Sequence, residues 1–342
     1  YAETREKVWF KAGPEWGSSR QETPVIIVRA LYGLKSSGAE WKKTFSEYIR
    51  SALGYEPCIG ADDNVYMRAE KYGNGEDYYS YLVVYVDDVL CIHRDPNKVL
   101  SMINRDYRLK EPPSTPKMYL GADVSKFTVN DEQGSVECWA LSADSHIKKA
   151  LDVVQQRMKE SNLVFKSSNK TAEHPFTSQS YRPELDVSEE CNEDQVELYQ
   201  SLIGILRWLC EIGRIDILTE TSLLSTYLSC PRIGHLHQAF NIFKYLKDHK
   251  RSKCVFDPSY VDINDNHLPL EERATYKAKF MKELYPDAME YRPGNAPKPR
   301  GRKVQITCFV DADHAGDKIT RRSRTGILIY INKSTFDDLL QI

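Results

Sequence analysis

Short apolar stretches with strand-like patterns dominate the first 130 residues of the chain. Residues 78–92 consist mainly of β-branched and aromatic residues and are interrupted only by Asp87 and Asp88. Such a run, with two polar residues inside it, predicts a hairpin with an acidic tip. Residues 25–28 predict a short buried strand, and residues 117–129 predict a pair of strands joined by a turn.

Apolar residues at three- and four-residue spacing predict helices, which prevail after residue 142. Trp41, Phe45, Tyr48 and Ile49 form the first such stripe. Each stripe is interpreted as the core-facing side of a helix. The later stripes are Ile147, Leu151, Val154 and Met158; Tyr199, Leu202, Ile203, Leu206, Leu209 and Cys210; and Leu236, Ala239, Phe240, Phe243 and Leu246.

The last third of the chain returns to strand patterns after a polar interval. Residues 257–303 are rich in Pro, Asp, Asn and Lys and predict a linker. Alternating apolar residues over 304–310 then predict a strand that ends on Asp311, and residues 326–331 predict a second strand. No internal repeat is found.

Charge is distributed in patches, although the formal net charge of the 342 residues is only -2. Residues 184–197 form an acidic stretch, and residues 244–253, 298–303 and 318–324 form three basic ones. Each stretch fits a solvated face, and the basic ones also fit nucleic-acid-binding patches. The 21 tyrosines likewise fit either core packing or base stacking.

Cysteine usage and hydropathy exclude several classes of protein. The eight cysteines form no CxxC pair, so neither a zinc site nor a redox motif is indicated. Free cysteines indicate a reducing, intracellular compartment. No apolar run approaches the roughly 20 residues that a membrane-spanning helix needs, so no membrane association is expected.

Asp87 and Asp88 are the candidate catalytic residues. Two adjacent carboxylates at the tip of an apolar hairpin are costly unless a cation neutralises them. Carboxylate oxygens suit Mg²⁺, and two such ions about 4 Å apart can activate a 3′-hydroxyl and stabilise a leaving pyrophosphate. Aspartate is also favoured in turns, so these two residues alone leave a purely structural role open.

The string Tyr85-Val86-Asp87-Asp88 resembles the YxDD box of reverse transcriptases. Further segments resemble, in the same order, the boxes of copia-like retrotransposon Pol polyproteins, and their order and spacing are more specific than any single box. These segments are residues 30–41 (ALYGLKSSGAEW), 119–121 (YLG), 199–206 (YQSLIGIL), 213–217 (GRIDI), Pro231 with His235, 245–247 (YLK), and 311–317 (DADHAGD) with 322–326 (RSRTG). The last pair resembles the opening of a ribonuclease H domain.

The resemblance implies an RNA-directed DNA polymerase with a two-metal Mg²⁺ site. Its implied partners are an RNA template, a DNA primer, dNTPs and other Pol and Gag regions, in a cytoplasmic virus-like particle or in the nucleus. The implied roles are metal binding for Asp87 and Asp88; contact with the primer terminus and template for Tyr85 and Val86; the nucleotide and template site for Tyr32, Gly33 and Lys35; the primer grip for Tyr119, Leu120 and Gly121; and the first ribonuclease H metal ligand for Asp311.

Two departures from the family pattern change the expectation for activity. In the family, the third polymerase carboxylate lies upstream of the segment that residues 8–17 resemble, so it is not matched here. Asp62 and Asp63 do not match the position of that carboxylate and are interpreted as turn residues. The ribonuclease H resemblance ends near Ser334, and the Asp337-Asp338 pair matches no ligand of that domain. This chain is therefore expected to be incomplete and weakly active or inactive.

The predicted fold class is α+β, with a reverse-transcriptase palm remnant built on an antiparallel sheet. Two alternatives stay open: a non-catalytic nucleic-acid-binding relic of a retrotransposon, and an unrelated α+β protein with an Asp-Asp turn. The predicted domains are fingers and palm without their N-terminal part (1–130), a helical thumb and connection (131–256), a linker (257–303), and a truncated α/β ribonuclease H-like segment (304–342).

Overall fold

The computed structural model shows a mixed α/β protein with antiparallel sheets and two compact units. It describes residues 2–131, 134–160, 171–260, 294 and 296–336. Of these, unit 1 contains residues 2–115, 294 and 296–303, and unit 2 contains the remainder. Most of the predicted linker, and the Asp337-Asp338 pair, lie outside the described residues.

Unit 1 is a four-stranded antiparallel sheet with helices on one face, preceded by a small hairpin. Its sheet order is β3-β4-β5-β6. Phe45 and Ile49 of the first helix, Leu82 of β5, and Val99 and Ile103 of the second helix form its core. In chain order the elements are β1 (Trp9–Lys11), β2 (Pro24–Ile26), α1 (Ser37–Ser51), β3 (Glu56–Cys58), β4 (Asp62–Lys71), β5 (Asp77–Tyr85), β6 (Asp88–Ile92) and α2 (Pro96–Asp106).

Unit 2 combines a five-stranded antiparallel sheet, of order β13-β10-β9-β8-β7, with four helices and a separate hairpin of β11 and β12. The three later helical stripes of the sequence meet in one core. Its elements are β7 (Met118–Tyr119), β8 (Ala122–Asp131), β9 (Gly134–Ser142), α3 (Asp144–Glu160), α4 (Glu193–Glu211), α5 (Leu218–Ser225), α6 (Ile233–Asp248), β10 (Lys253–Phe256), β11 (Ile306–Ala312), β12 (Thr325–Ile331) and β13 (Thr335–Phe336).

Several local predictions differ from the structure. The stretch 25–28 is not buried, because β2 pairs only with β1 in the described part of the chain, and Ile26 is 60% exposed. The strand β9 was not predicted, so the region expected to be helical from residue 131 begins on a sheet. The two units divide after Thr115, whereas the sequence predicted a boundary after residue 130.

Residues 296–303, predicted as part of the linker, lie against β5 of unit 1; we call this segment the strap. The hydroxyl of Tyr79 donates a hydrogen bond of 2.8 Å to the backbone oxygen of Lys298. Arg300 Nη1 lies 2.8 Å from Asp77 Oδ1, and the guanidinium group lies 5.7 Å from the centre of the Tyr79 ring. These contacts fix a basic segment against the sheet. No helix among the described residues is long and apolar enough to cross a membrane.

Candidate active site

The turn between β5 and β6 carries the candidate catalytic residues. Tyr85 and Asp88 form the last cross-strand pair, so Val86 and Asp87 alone make the turn. Val86 has a φ of +56°, a conformation that glycine adopts readily at the first position of a two-residue hairpin turn. A β-branched residue there costs about 1–3 kcal/mol, and the surrounding structure must supply that energy.

Both carboxylates are accessible to a ligand. Asp87 and Asp88 are exposed, and among the described residues neither side chain has a hydrogen-bond or ion-pair partner. Nor do three or more His, Cys, Asp or Glu side chains of this described portion meet in a possible metal site. Two carboxylates are hard oxygen donors that suit Mg²⁺, and such ions take their remaining ligands from water and substrate phosphates.

Asp87 lines a cleft with the loop that precedes α1. The cleft has a volume of about 360 Å³. The cleft brings together four residues of the predicted site, Tyr32, Gly33, Val86 and Asp87. Lys35 is exposed and does not line the cleft. The lining residues are Ala2, Ala30, Leu31, Tyr32, Gly33, Leu34, Ser37, Gly38, Trp41, Val86 and Asp87.

The first residues of the chain hold this loop in place. The backbone N–H of Ser36 donates a hydrogen bond of 2.8 Å to Glu6 Oε1, and Arg5 Nε lies 2.9 Å from Glu40 Oε1. Hydrogen bonding from Ser36 holds the pKa of Glu6 below its usual value. A carboxylate at the start of α1 also compensates the positive end of the helix dipole, so the loop and the helix start are fixed together.

A second cleft, of about 200 Å³, shares part of its lining with the first. Gly38, Trp41 and Val86 line both clefts. Trp41 Nε1 donates a hydrogen bond of 2.6 Å to the backbone oxygen of Val86. The second cleft is lined by Gly38, Trp41, Lys42, Phe45, Ser46, Asn64, Tyr66, Val84, Tyr85 and Val86.

Sequence reasoning assigned Trp41 to the packing stripe of α1 and missed its contact with the turn. The residue does pack, because its ring stacks on Phe45 with centroids 5.1 Å apart. The feature that could have revealed the contact is the indole N–H, a donor that needs a partner when the ring is partly buried.

The remaining predicted site residues belong to unit 2. Leu120 and Gly121, with φ of +50° and +86°, form a two-residue turn between β7 and β8 that follows Tyr119. A Cβ atom on Gly121 would lie 3.4 Å from Trp208 Cζ2, so this turn packs against α4. Asp311 lies exposed on β11, and its Oδ1 accepts a hydrogen bond of 2.9 Å from the backbone N–H of Ala312.

Comparisons with known proteins find similarity to transposon polyproteins. The chain is 19% identical over 286 residues to the transposon Ty1-DR1 Gag-Pol polyprotein of Saccharomyces cerevisiae, which covers 81% of this chain and 15% of that protein. It is 20% identical over 288 residues to the truncated transposon Ty1-A Gag-Pol polyprotein of the same yeast, covering 81% of this chain and 22% of that protein.

This similarity supports a retrotransposon-derived protein of the Gag-Pol kind. The chain spans only 15% to 22% of the length of these two relatives. No protein-family profile matches the chain, and no solved structure matches it.

Proposed function

We propose that unit 1 carries the metal-binding carboxylates of an RNA-directed DNA polymerase of the copia-like retrotransposon kind. The observation that supports this most strongly is the shared cleft, in which Asp87 lies with Tyr32 and Gly33. Asp87 is 55 and 54 positions from Tyr32 and Gly33 in the sequence. The resemblance assigns Asp87 to metal binding, and Tyr32 and Gly33 to the nucleotide and template site beside it. The similarity to Gag-Pol polyproteins agrees with the same assignment.

The proposed reaction is transfer of a nucleotidyl group from a dNTP to a primer 3′-hydroxyl. Asp87 and Asp88 would hold Mg²⁺, which would activate the hydroxyl and stabilise the leaving pyrophosphate. The exposed Tyr32 side chain and the backbone at Gly33 shape the space beside Asp87. In-line transfer needs positioning and charge neutralisation, so no residue of the chain has to form a covalent intermediate.

Weak activity is expected of this chain by itself. Only two of the three polymerase carboxylates of the family pattern are matched in the sequence. Within the described residues β6 is one of the two edge strands of its sheet, so the outer backbone groups of Asp88–Ile92 can pair with a further strand. A third carboxylate on a strand that paired with β6 would lie close to Asp88.

Primer extension on an RNA template in Mg²⁺ tests the proposal. The chain alone should extend a primer feebly or not at all, and a polypeptide with an added N-terminal segment that carries the family's third carboxylate should extend it efficiently. Asp87→Asn or Asp88→Asn should abolish that extension. Asp62→Asn, which changes an exposed aspartate at the start of β4, should not. Full activity in both turn variants would overturn the proposal.

A non-catalytic nucleic-acid-binding protein is the second candidate. It is favoured by the incomplete ligand set, since no third acidic, His or Cys side chain of the described chain joins the pair, and by exposed basic residues such as Lys318, Arg321 and Arg322. This candidate predicts binding to RNA/DNA hybrids that weakens steeply with salt. That binding should not require Mg²⁺ and should be the same in Asp87→Asn, with no extension by any lengthened polypeptide.

A further inference from the structure

The hydrogen bond between Trp41 and Val86 links two segments that are 45 residues apart. Its acceptor is the backbone oxygen of the one residue in the Asp87-Asp88 turn with a φ in the left-handed region. The peptide group that carries this oxygen also carries the N–H of Asp87. The orientation of that peptide is therefore set by a side chain outside the hairpin.

The indole ring is itself held by two helices. It stacks on Phe45 of α1 with an angle of 9° between the rings. It also meets Tyr107, which follows α2, edge-on at 5.7 Å. Tyr48, two helical turns further along α1, has its hydroxyl 2.9 Å from the backbone oxygen of Met102 and 2.8 Å from Asp106 Oδ2, and its single proton is donated to one of these two acceptors. The ring thus has little freedom to move away from the turn.

We propose that Trp41 is a positioning residue that fixes the conformation of Val86 and, through it, the directions of the Asp87 and Asp88 side chains. The part of this inference that concerns metal binding rests on the proposed function. The hydrogen bond from the indole stabilises the peptide group after Val86. It thereby offsets part of the cost of a left-handed conformation at a β-branched residue.

Core packing alone is the competing explanation. A tryptophan that served only as core would also need a partner for its N–H, so the bond to Val86 does not by itself decide between the two. The observation that favours a positioning role is the place of the acceptor, which is the left-handed residue of the turn. The indole also lines the cleft that contains Asp87.

The sharpest test replaces Trp41 by β-(3-benzothienyl)alanine, which keeps the size and shape of the ring and lacks only the N–H donor. Trp41→Phe is the simpler variant and keeps an aromatic ring for stacking. The matched control is Ile49→Val, which removes one methylene-sized group from the same core without touching the indole. All four proteins are compared as full chains by amide hydrogen exchange and by the affinity for Mn²⁺, measured by electron paramagnetic resonance.

Loss of the donor should speed amide exchange at Asp88, which pairs with Tyr85 at the end of the hairpin, by about two- to twelvefold, the factor that corresponds to one hydrogen bond. Exchange in α2 and in unit 2 should stay unchanged, and Mn²⁺ affinity should fall. In the Ile49→Val control, exchange should rise throughout the core of unit 1, with no selective change at the turn. The NMR signal of the Trp41 N–H should be protected from exchange in the unmodified chain.

Two results would overturn the inference: unchanged exchange at the turn in the isostere, or the same pattern of change in Ile49→Val. A failure of the proposed function has a different outcome. If the unmodified chain binds no Mn²⁺ and Asp87→Asn alters nothing, the metal site is absent, and the exchange data still decide whether Trp41 positions the turn.

Discussion

Arg214 and Asp216 form an ion pair in which both side chains are almost completely buried. Arg214 Nε and Nη2 lie 2.9 and 2.6 Å from the two oxygens of Asp216, and the side chains are only 1% and 7% exposed. This two-point contact holds the short segment in which the chain leaves α4 and enters α5. Within the described residues Arg214 Nη1 has no hydrogen-bond partner, so the arginine depends on Asp216 for neutralisation.

Removing the Asp216 carboxylate should therefore strongly decrease the free energy of unfolding. Asp216→Asn leaves a buried guanidinium without a counter-charge, and breaking such a pair costs about 3–5 kcal/mol. The free energy of unfolding from urea titration measures this. The control is Glu137→Gln, which removes the partner of Lys126 in an exposed pair and should cost less than about 1 kcal/mol. Equal effects of the two variants would contradict the expected difference.

The stability of unit 2 should fall in mild acid because of His235. This side chain is 1% exposed; its Nε2 donates to the oxygen of Pro183, and its Nδ1 accepts from the backbone N–H of Arg232. Burial lowers the pKa of His235 below its usual 6.5, against smaller opposing effects of Pro183 and Asp186. The unfolded chain therefore takes up a proton in a range where the folded chain resists it.

The lower pKa of His235 in the folded chain means that acid decreases the free energy of unfolding. At pH 7.5 both states hold a neutral imidazole, and as the pH falls below about 6.5 the unfolded state gains the proton first, so the free energy of unfolding decreases. Urea unfolding between pH 7.5 and 5 measures the slope. His235→Gln removes this titration, and so the variant should be less stable at pH 7.5 but should lose less stability on acidification. A parallel loss in both proteins would assign the effect to other groups.

Val86→Gly should stabilise unit 1. Glycine removes the cost of about 1–3 kcal/mol for a left-handed valine and adds an unfolded-state entropy cost of about 0.5–1 kcal/mol. The expected net gain is about 1 kcal/mol in the free energy of unfolding. The contrast is Val89→Gly on β6, which removes a side chain that packs on the core of unit 1 and should destabilise it. A loss of stability in Val86→Gly would show that the turn is not strained.

Removal of the Tyr79 hydroxyl should loosen the attachment of the strap to β5. Tyr79→Phe removes the hydroxyl that donates to Lys298, and trypsin cleavage after Arg300 and Arg302 should accelerate about two- to twelvefold. Tyr81→Phe on the same strand is the matched control, because no hydrogen bond of the Tyr81 hydroxyl is found in the described part of the chain. Equal cleavage rates in the two variants would mean that the hydroxyl does not hold the strap.

The hairpin around the aspartate pair was predictable because its pattern is strong and local. The prediction over 78–92 is confirmed by β5 and β6, and the stripe of Trp41 and Phe45 is confirmed by α1. The strand β9 escaped prediction because small residues, Cys138 and Ala140, occupy its inward positions. Its burial comes from pairing with β8 and β10, a long-range arrangement that no local pattern contains.

The sequence names candidate residues for the site, but it does not predict the contacts that hold those residues in place. The assignment of Asp87 and Asp88 came from the sequence and stays a prediction, as do the roles of Tyr119 and Asp311. The sequence indicates that the Trp41 N–H needs a partner, but it does not identify that partner as Val86, which lies 45 residues away. The same holds for Glu6, whose hydrogen bond to Ser36 spans 30 residues.

The assignment of the strap to unit 1 affects how the two units can be prepared separately. The strap contacts β5, yet in the sequence it directly precedes β11 of unit 2. A clone that stops at Thr115 would leave the hydroxyl of Tyr79 and the carboxylate of Asp77 without their partners. Joining residues 2–115 to 294–303 through a short flexible connector is therefore the natural way to obtain the aspartate hairpin in a small, separately expressed protein.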